Sequence, residues 1–190
     1  MRRTLIALAV TTCLAFAGSA GAALTKDEYK SQKDKIEADY KAASDTCKAL
    51  KANAQDICKA EAKGKQKVAK AELEASSKPS PRADEKVKMA KADATYDVAK
   101  EKCDDLTGNA KDVCKKDAKA AFESAKGDAK VSKAVSEKGA GSEKAAAKAK
   151  DARDDKADAQ YAAAKERCDT MTGAAKDTCV ADAKKKFGKL

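Results

Sequence analysis

Three pairs of cysteines, each pair separated by ten residues, constrain this chain more than any other feature of its sequence. The pairs belong to a unit of the form Y-x2-A-x3-C-x2-[LM]-x3-A-x-D-x-C-x2-[DE]-A, which occurs three times with unchanged spacing. The three copies begin at Tyr40, Tyr96 and Tyr161. Their cysteines are Cys47 and Cys58, Cys103 and Cys114, Cys168 and Cys179. The chain is therefore built of internal repeats.

The cysteine spacing favours a helical hairpin in each unit. On an unbroken helix, residues 11 apart lie on one face but about 16 Å from each other, whereas a disulfide needs Cα atoms within about 7 Å. In the second and third units, Gly108 and Gly173 lie midway between the cysteines, and glycine is the residue expected just past a helix end. The first unit has Ala52 there, so a continuous helix is an alternative for this unit. Pairing between units also stays open, since six cysteines allow 15 connectivities.

The same pattern predicts which side chains pack inside a hairpin. In the second unit it places Tyr96, Ala99 and Leu106 on the inner side of the first arm. Phe122 and several alanines fall on the inner side of the second arm. A tyrosine seven residues before a helical cysteine is more typical of packing at the open end of a hairpin than of a binding platform. The predicted packing residues of the three units are Tyr40, Tyr96, Tyr161, Leu50, Leu106 and Met171.

The composition argues against a compact enzyme. Hydrophobic residues make up 43% of the 190 positions, but 45 of these residues are alanine. After position 22, Leu, Ile, Val and Phe together fill 16 of 168 positions, far below the usual level for a globular domain. A single core cannot offset the conformational entropy of ordering such a chain. The chain has no histidine, which excludes Ser-His-Asp and Cys-His catalysis and any histidine-ligated metal. We therefore expect neither an enzyme nor a cofactor.

The N-terminus predicts export. Met1–Ala22 has a charged start, an apolar stretch and small residues before a cleavage site, as in a signal peptide. Cleavage would leave a mature chain that begins at Ala23 and has lost Cys13. A retained anchor is the alternative, because Thr4–Leu24 is uncharged. The remaining six cysteines, in a periplasmic or secreted protein, predict structural disulfides. Redox exchange or thiolate metal binding is the competing interpretation, although no Cys-x-x-Cys occurs.

Two breaks divide the mature chain into three modules. The first break is a Ser/Pro linker at 76–82 and the second is a Gly/Ser-containing linker at 127–142. Between them the residues are rich in Ala, Lys and acidic side chains, which favour helix. The predicted fold is all-α and non-globular, with three hairpin modules joined by flexible linkers. The modules span 23–75, 83–126 and 143–190.

The charge pattern sets the expected partners. The formal net charge is +10 and falls by two when Arg2 and Arg3 leave with the signal peptide. An excess of lysine indicates weak attraction to anionic envelope components. Acidic residues are interspersed throughout and aromatic residues make up only 4%. We therefore expect no sequence-specific nucleic-acid recognition and no stable membrane span after cleavage. Self-association is left open.

Stretches such as Ala145-Ala146-Ala147-Lys148-Ala149-Lys150 resemble the helical periplasmic region of the TolA-like, cell-envelope biogenesis proteins of proteobacteria. Stretches such as Tyr96–Lys126, with the 11-residue spacing, are similar to late-embryogenesis-abundant and other stress-protective helical proteins. These resemblances imply a non-enzymatic structural or stress-protective component of a bacterial envelope. The alternative is a module whose lysine-rich helical faces bind a polyanion such as lipopolysaccharide, a cell-wall polymer or nucleic acid.

Overall fold

The computed structural model describes residues 24–189, and the predicted signal peptide lies outside them. The described residues form six α-helices and no strand, which confirms the all-helical prediction for this part of the chain. The helices, in chain order, are α1 (Lys26–Cys47), α2 (Ala52–Ser77), α3 (Pro81–Cys103), α4 (Gly108–Lys138), α5 (Glu143–Cys168) and α6 (Gly173–Lys186). Each pair of cysteines joins the end of an odd-numbered helix to the first turns of the next.

The helices form a row in which each one packs against its neighbours in the chain. Contacts join α1 to α2, α2 to α3, α3 to α4, α4 to α5, and α5 to α6; within residues 24–189 no other pair of helices is in contact. Consecutive helices are antiparallel, because short turns connect them. The turns after α1, α3 and α5 therefore lie along one edge of the row, and the turns after α2 and α4 along the other.

The first helix of each hairpin has an N-terminal cap. Thr25 and Glu28 form a capping box at the start of α1, in which the Thr25 hydroxyl accepts a hydrogen bond from the Glu28 amide at 3.2 Å. Ser80 caps α3 and Ser142 caps α5, each hydroxyl accepting from the amide three residues on. The second helix of each hairpin has no side-chain cap. These second helices begin immediately after the turn that a disulfide closes.

Small side chains fill the spaces between helices. The buried apolar residues of the described part are eight alanines, the first cysteine of each pair, and Leu73, which is the one large aliphatic side chain among them. Alanine combines high helix propensity with a side chain short enough for close helix packing. Ion pairs across the interfaces add support, with Lys70 contacting Glu37 at 2.6 Å and Lys133 contacting Glu85 at 2.7 Å.

One predicted linker differs from the structure. Most of the segment 127–142 is helical, because α4 continues through Gly127 to Lys138 and only 139–142 connects it to α5. Gly127 is buried at the α4–α5 interface. A Cβ at this position would lie 2.6 Å from the Cβ of Ala152, so the glycine provides space for a close helix contact. The Ser/Pro segment forms a three-residue connection between α2 and α3.

Candidate functional site

The edge of the row that carries the disulfides is the candidate functional site, because disulfides, side-chain hydrogen bonds and ion pairs all occur there. We call it the stapled edge and define it by the turns 48–51, 104–107 and 169–172 with their cysteines. The Cα atoms lie 5.6 Å apart in Cys47–Cys58, 5.6 Å in Cys103–Cys114 and 5.7 Å in Cys168–Cys179. The six cysteines of residues 24–189 therefore lie in three pairs, each within one unit and at disulfide distance, as the hairpin interpretation predicts.

A residue with a left-handed backbone follows each of the three turns, as the first residue of α2, α4 or α6. The φ angle is +49° at Ala52, +54° at Gly108 and +58° at Gly173, each six residues before the second cysteine of its pair. The first unit therefore forms a hairpin like the others, and the continuous helix that we left open there does not occur. At Ala52 an alanine adopts the left-handed conformation, which normally costs a residue with a side chain about 1–2 kcal/mol.

Asparagine side chains connect neighbouring hairpins along the stapled edge. The Asn53 amide donates a hydrogen bond to the Glu101 carbonyl at 2.6 Å, and the Asn109 amide donates to the Glu166 carbonyl at 2.9 Å. Each acceptor lies two residues before the first cysteine of the next hairpin. The equivalent residue in the third unit is Ala174, on α6, which contacts α5 alone among the described helices.

These asparagines were missed in the sequence analysis. The signal that identifies them is an asparagine five residues before the second cysteine in units one and two, and an alanine in unit three.

Ion pairs join the two arms at the second and third turns. The Asp104 carboxylate contacts the ammonium groups of Lys111 and Lys115, both at 2.9 Å, and Asp169 contacts Lys176 at 2.8 Å. The hydrogen bond from Lys111, supported by the one from Lys115, lowers the pKa of Asp104. The hydrogen bond from Lys176 lowers the pKa of Asp169 in the same way. These pairs are exposed, so each contributes little stability.

The first turn uses a different polar contact. Its sequence has Gln55 in place of the lysine and Lys48 in place of the aspartate. The Gln55 amide donates to the Leu50 carbonyl at 3.2 Å and to the Cys47 carbonyl at 3.4 Å. A neutral side chain thus satisfies the last carbonyl group of α1 and one in the turn that follows it.

Three of the predicted packing residues lie in the turns rather than inside the hairpins. Leu50, Leu106 and Met171 are 42%, 41% and 42% exposed. Each amide donates to the carbonyl of the cysteine three residues before it, at 3.0–3.1 Å. The side chains therefore stand beyond the last helical turn, and the inner-side position that we predicted for Leu106 is wrong. The helix ends before the residue that helical periodicity would turn inward.

The tyrosine of the second unit contacts the other arm of its hairpin, away from the stapled edge. Tyr96 stacks on Phe122 with ring centroids 4.7 Å apart and planes inclined by 15°. Tyr40 and Tyr161 are half-buried. The ammonium of Lys100 lies 5.1 Å from the Tyr96 ring centroid, and Lys126 lies 5.0 Å from that of Phe122, distances at which a cation is attracted to an aromatic face.

The remaining polar groups of residues 24–189 are distributed over the surface. No group of three or more cysteine or acidic side chains in this range could hold a metal ion. No helix in the same range is both long and apolar enough to cross a membrane. Comparison with protein families, curated proteins and solved structures finds no significant match.

Proposed function

We propose that the chain is an exported, non-enzymatic structural or stress-protective protein of a bacterial envelope. Its modules would be the three disulfide-stapled hairpins, arranged as a row. The observation that carries this proposal is the stapled edge, where three disulfides and two asparagine contacts connect all six helices at one end.

Stability explains why such an edge suits a structural role. The interior consists mainly of alanine, which buries little apolar area per residue. Each disulfide restricts the unfolded chain and adds about 2–3 kcal/mol for a loop of this size. Export would place the chain in an oxidising compartment, where the three disulfides can form and persist. The predicted signal peptide at 1–22 supports the same location.

The test begins with protein taken from the exported fraction of its source. Intact mass and non-reducing peptide mapping should give a start near Ala23 and the three pairings within units. Cells that lack the gene should then release a periplasmic reporter enzyme more readily under osmotic or detergent stress. The wild-type gene should restore the barrier, whereas a variant with all six mature cysteines changed to serine should not.

Cys13→Ser is the matched control, because this cysteine lies in the predicted signal peptide and should be dispensable. An unchanged barrier without the gene, or full rescue by the six-serine variant, would contradict the structural role. Free thiols in the exported protein would instead support redox or metal chemistry.

The polyanion-binding alternative has its own observation. Lys184, Lys185 and Lys186 occupy the last turn of α6, at the end of a chain whose positive residues outnumber its negative ones. Binding to lipopolysaccharide vesicles should then weaken steeply with added salt, since the attraction is screened. Changing the three lysines to glutamine should weaken it further than the same change at Lys26, Lys30 and Lys33. Salt-insensitive binding would contradict this alternative.

A further inference from the structure

Two apolar grooves lie on the same face of the row, one on each side of α3. The groove between α2 and α3 is lined by Val68, Ala94 and Val98, among others. The groove between α3 and α4 is lined by alanines and by the stacked rings of Tyr96 and Phe122. Lys91, Thr95 and Ala99 line both grooves, so they form the ridge between them. We call these two grooves and their ridge the groove face.

The opposite face is strongly charged. Its depression between α4 and α5 is lined by two alanines and five charged residues, which are Lys116, Lys119, Glu123, Asp155 and Asp158. Glu123 also pairs with Lys126 at 2.9 Å. Lys119 and Lys126 both lie over the Phe122 ring, at 5.6 and 5.0 Å from its centroid. Neither lysine lines the apolar groove, so the rings are covered by cations on one side and open to the groove on the other.

Charges of both signs surround the groove face. Its lining includes four lysines and three acidic residues: Lys65, Lys88, Lys91, Lys102, Glu61, Glu72 and Asp128. Lys91 already pairs with Glu72 at 2.7 Å across the first groove. This near-balance does not favour a strongly anionic ligand. It suits a surface that meets its own copy, where lysines of one copy can face acidic residues of the other.

We propose that a second copy of this chain covers the groove face. The α3 ridge of one copy sits in a groove beside α3 of its partner, and a two-fold axis makes the contact reciprocal. Helices pack by placing the ridge of one into the groove of another, and Thr95 and Ala99 are small enough to allow close approach. The dimer turns one layer of helices into two, with the open side of the aromatic pair between them.

Sedimentation equilibrium of the exported, oxidised protein tests this arrangement. Wild type should sediment at twice the chain mass in the micromolar range. Ala99→Glu places a charge on the ridge and should weaken the dimer at least tenfold. Ala162→Glu is the matched control, because Ala162 is a half-buried alanine in the charged depression of the opposite face. It should leave the dimer mass unchanged, and helical circular dichroism should show that both variants fold.

Cross-linking provides a second readout that needs no substitution. In a mixture of unlabelled and nitrogen-15-labelled protein, mixed-isotope cross-links should join lysines of the groove face, such as Lys65, Lys88 and Lys102. A monomer at all concentrations would overturn the dimer, as would mixed-isotope cross-links confined to Lys116 and Lys119. Either result would leave the proposed structural role standing, since that role depends on the disulfides.

Discussion

At the scale of single residues, glycine has two separate functions in this chain. At Gly108 and Gly173 the φ angle is positive and no atom lies within 4 Å of an added Cβ, so the backbone conformation is what requires glycine. At Gly64 and Gly127 an added Cβ would lie 2.8 and 2.6 Å from the Cβ of an alanine on the next helix, so space is what requires it. Ala52 occupies the first kind of position without the glycine that suits it.

Replacing Ala52 with glycine should therefore stabilise the protein. Relief of the left-handed alanine is worth about 1 kcal/mol, which urea unfolding of the oxidised protein can measure. Ala54→Gly is the control, because Ala54 lies inside α2, where glycine costs about 0.5–1 kcal/mol. A loss of stability in Ala52→Gly would show that the turn does not adopt this backbone in solution.

The asparagine contacts between hairpins make a second prediction at this scale. Asn109→Ala removes a partly buried hydrogen bond to the Glu166 carbonyl and should lower the free energy of unfolding by about 1 kcal/mol. Ala174→Asn adds the same side chain on α6, which contacts α5 alone among the described helices, and should change stability by less than about 0.5 kcal/mol. Equal effects of the two substitutions in urea unfolding would contradict a role for Asn109 between hairpins.

At the scale of helices, close glycine–alanine contacts occur at both interfaces between hairpins. Gly64 faces Ala94 between α2 and α3, and Gly127 faces Ala152 between α4 and α5. Relative to the cysteines, the second contact lies seven residues farther from the stapled edge on both helices. Seven residues are two helical turns, so both contacts fall on the same side of their helices.

Exchanging the glycine and the alanine of such a contact should restore part of the stability that a change of the glycine alone removes. Gly64→Ala alone forces the two helices apart and should cost about 1–3 kcal/mol, more than the gain of about 1 kcal/mol in helix propensity. Adding Ala94→Gly should recover part of this loss, which gives a favourable coupling energy in a double-mutant cycle. Simple additivity of the two changes in thermal or urea unfolding would contradict the contact.

The sequence predicted the features that depend on residues close together in the chain, and it did not predict those that depend on a residue of another helix. The hairpins of the second and third units were predictable because two cysteines 11 positions apart cannot meet on one helix and a glycine lies midway between them. The first unit lacks that glycine, so its sequence left a continuous helix open, and the spacing alone did not exclude pairing between units. The role of Gly127 was not predictable, since the residue that requires its missing side chain is Ala152, on another helix. Leu106 was placed inside because periodicity alone does not show that the helix ends at Cys103. The asparagine contacts needed knowledge of which unit lies beside which.

At the scale of the whole molecule, the two ends of the row differ. The first helix, α1, has 22 residues, whereas α6 has 14 and packs against α5 alone. A helix of this length is marginal when isolated in water. The Cys168–Cys179 bond is therefore more important for holding α6 in place than the Cys103–Cys114 bond is for α3 or α4, which have two helical neighbours each.

Removing the last disulfide should consequently release α6. In the variant Cys168→Ser/Cys179→Ser, amides of residues 173–186 should exchange with deuterium about a hundredfold faster, as expected for a loss of about 2–3 kcal/mol. The matched variant Cys103→Ser/Cys114→Ser should leave the central amides of α3 and α4 more strongly protected than those of α6. Unchanged exchange in 173–186, measured by mass spectrometry, would contradict this order.

The arrangement of the helices in a row also affects how the chain can fold. Every helix contact joins segments that follow each other along the chain, so the mean sequence separation of contacts is small for a protein of this length. Low contact order is associated with fast folding, because short loops close at little entropic cost. Each hairpin can form as soon as its own residues are available, and the next can pack against it. A chain that emerges from a translocation pore N-terminus first can thus fold in the order in which it appears.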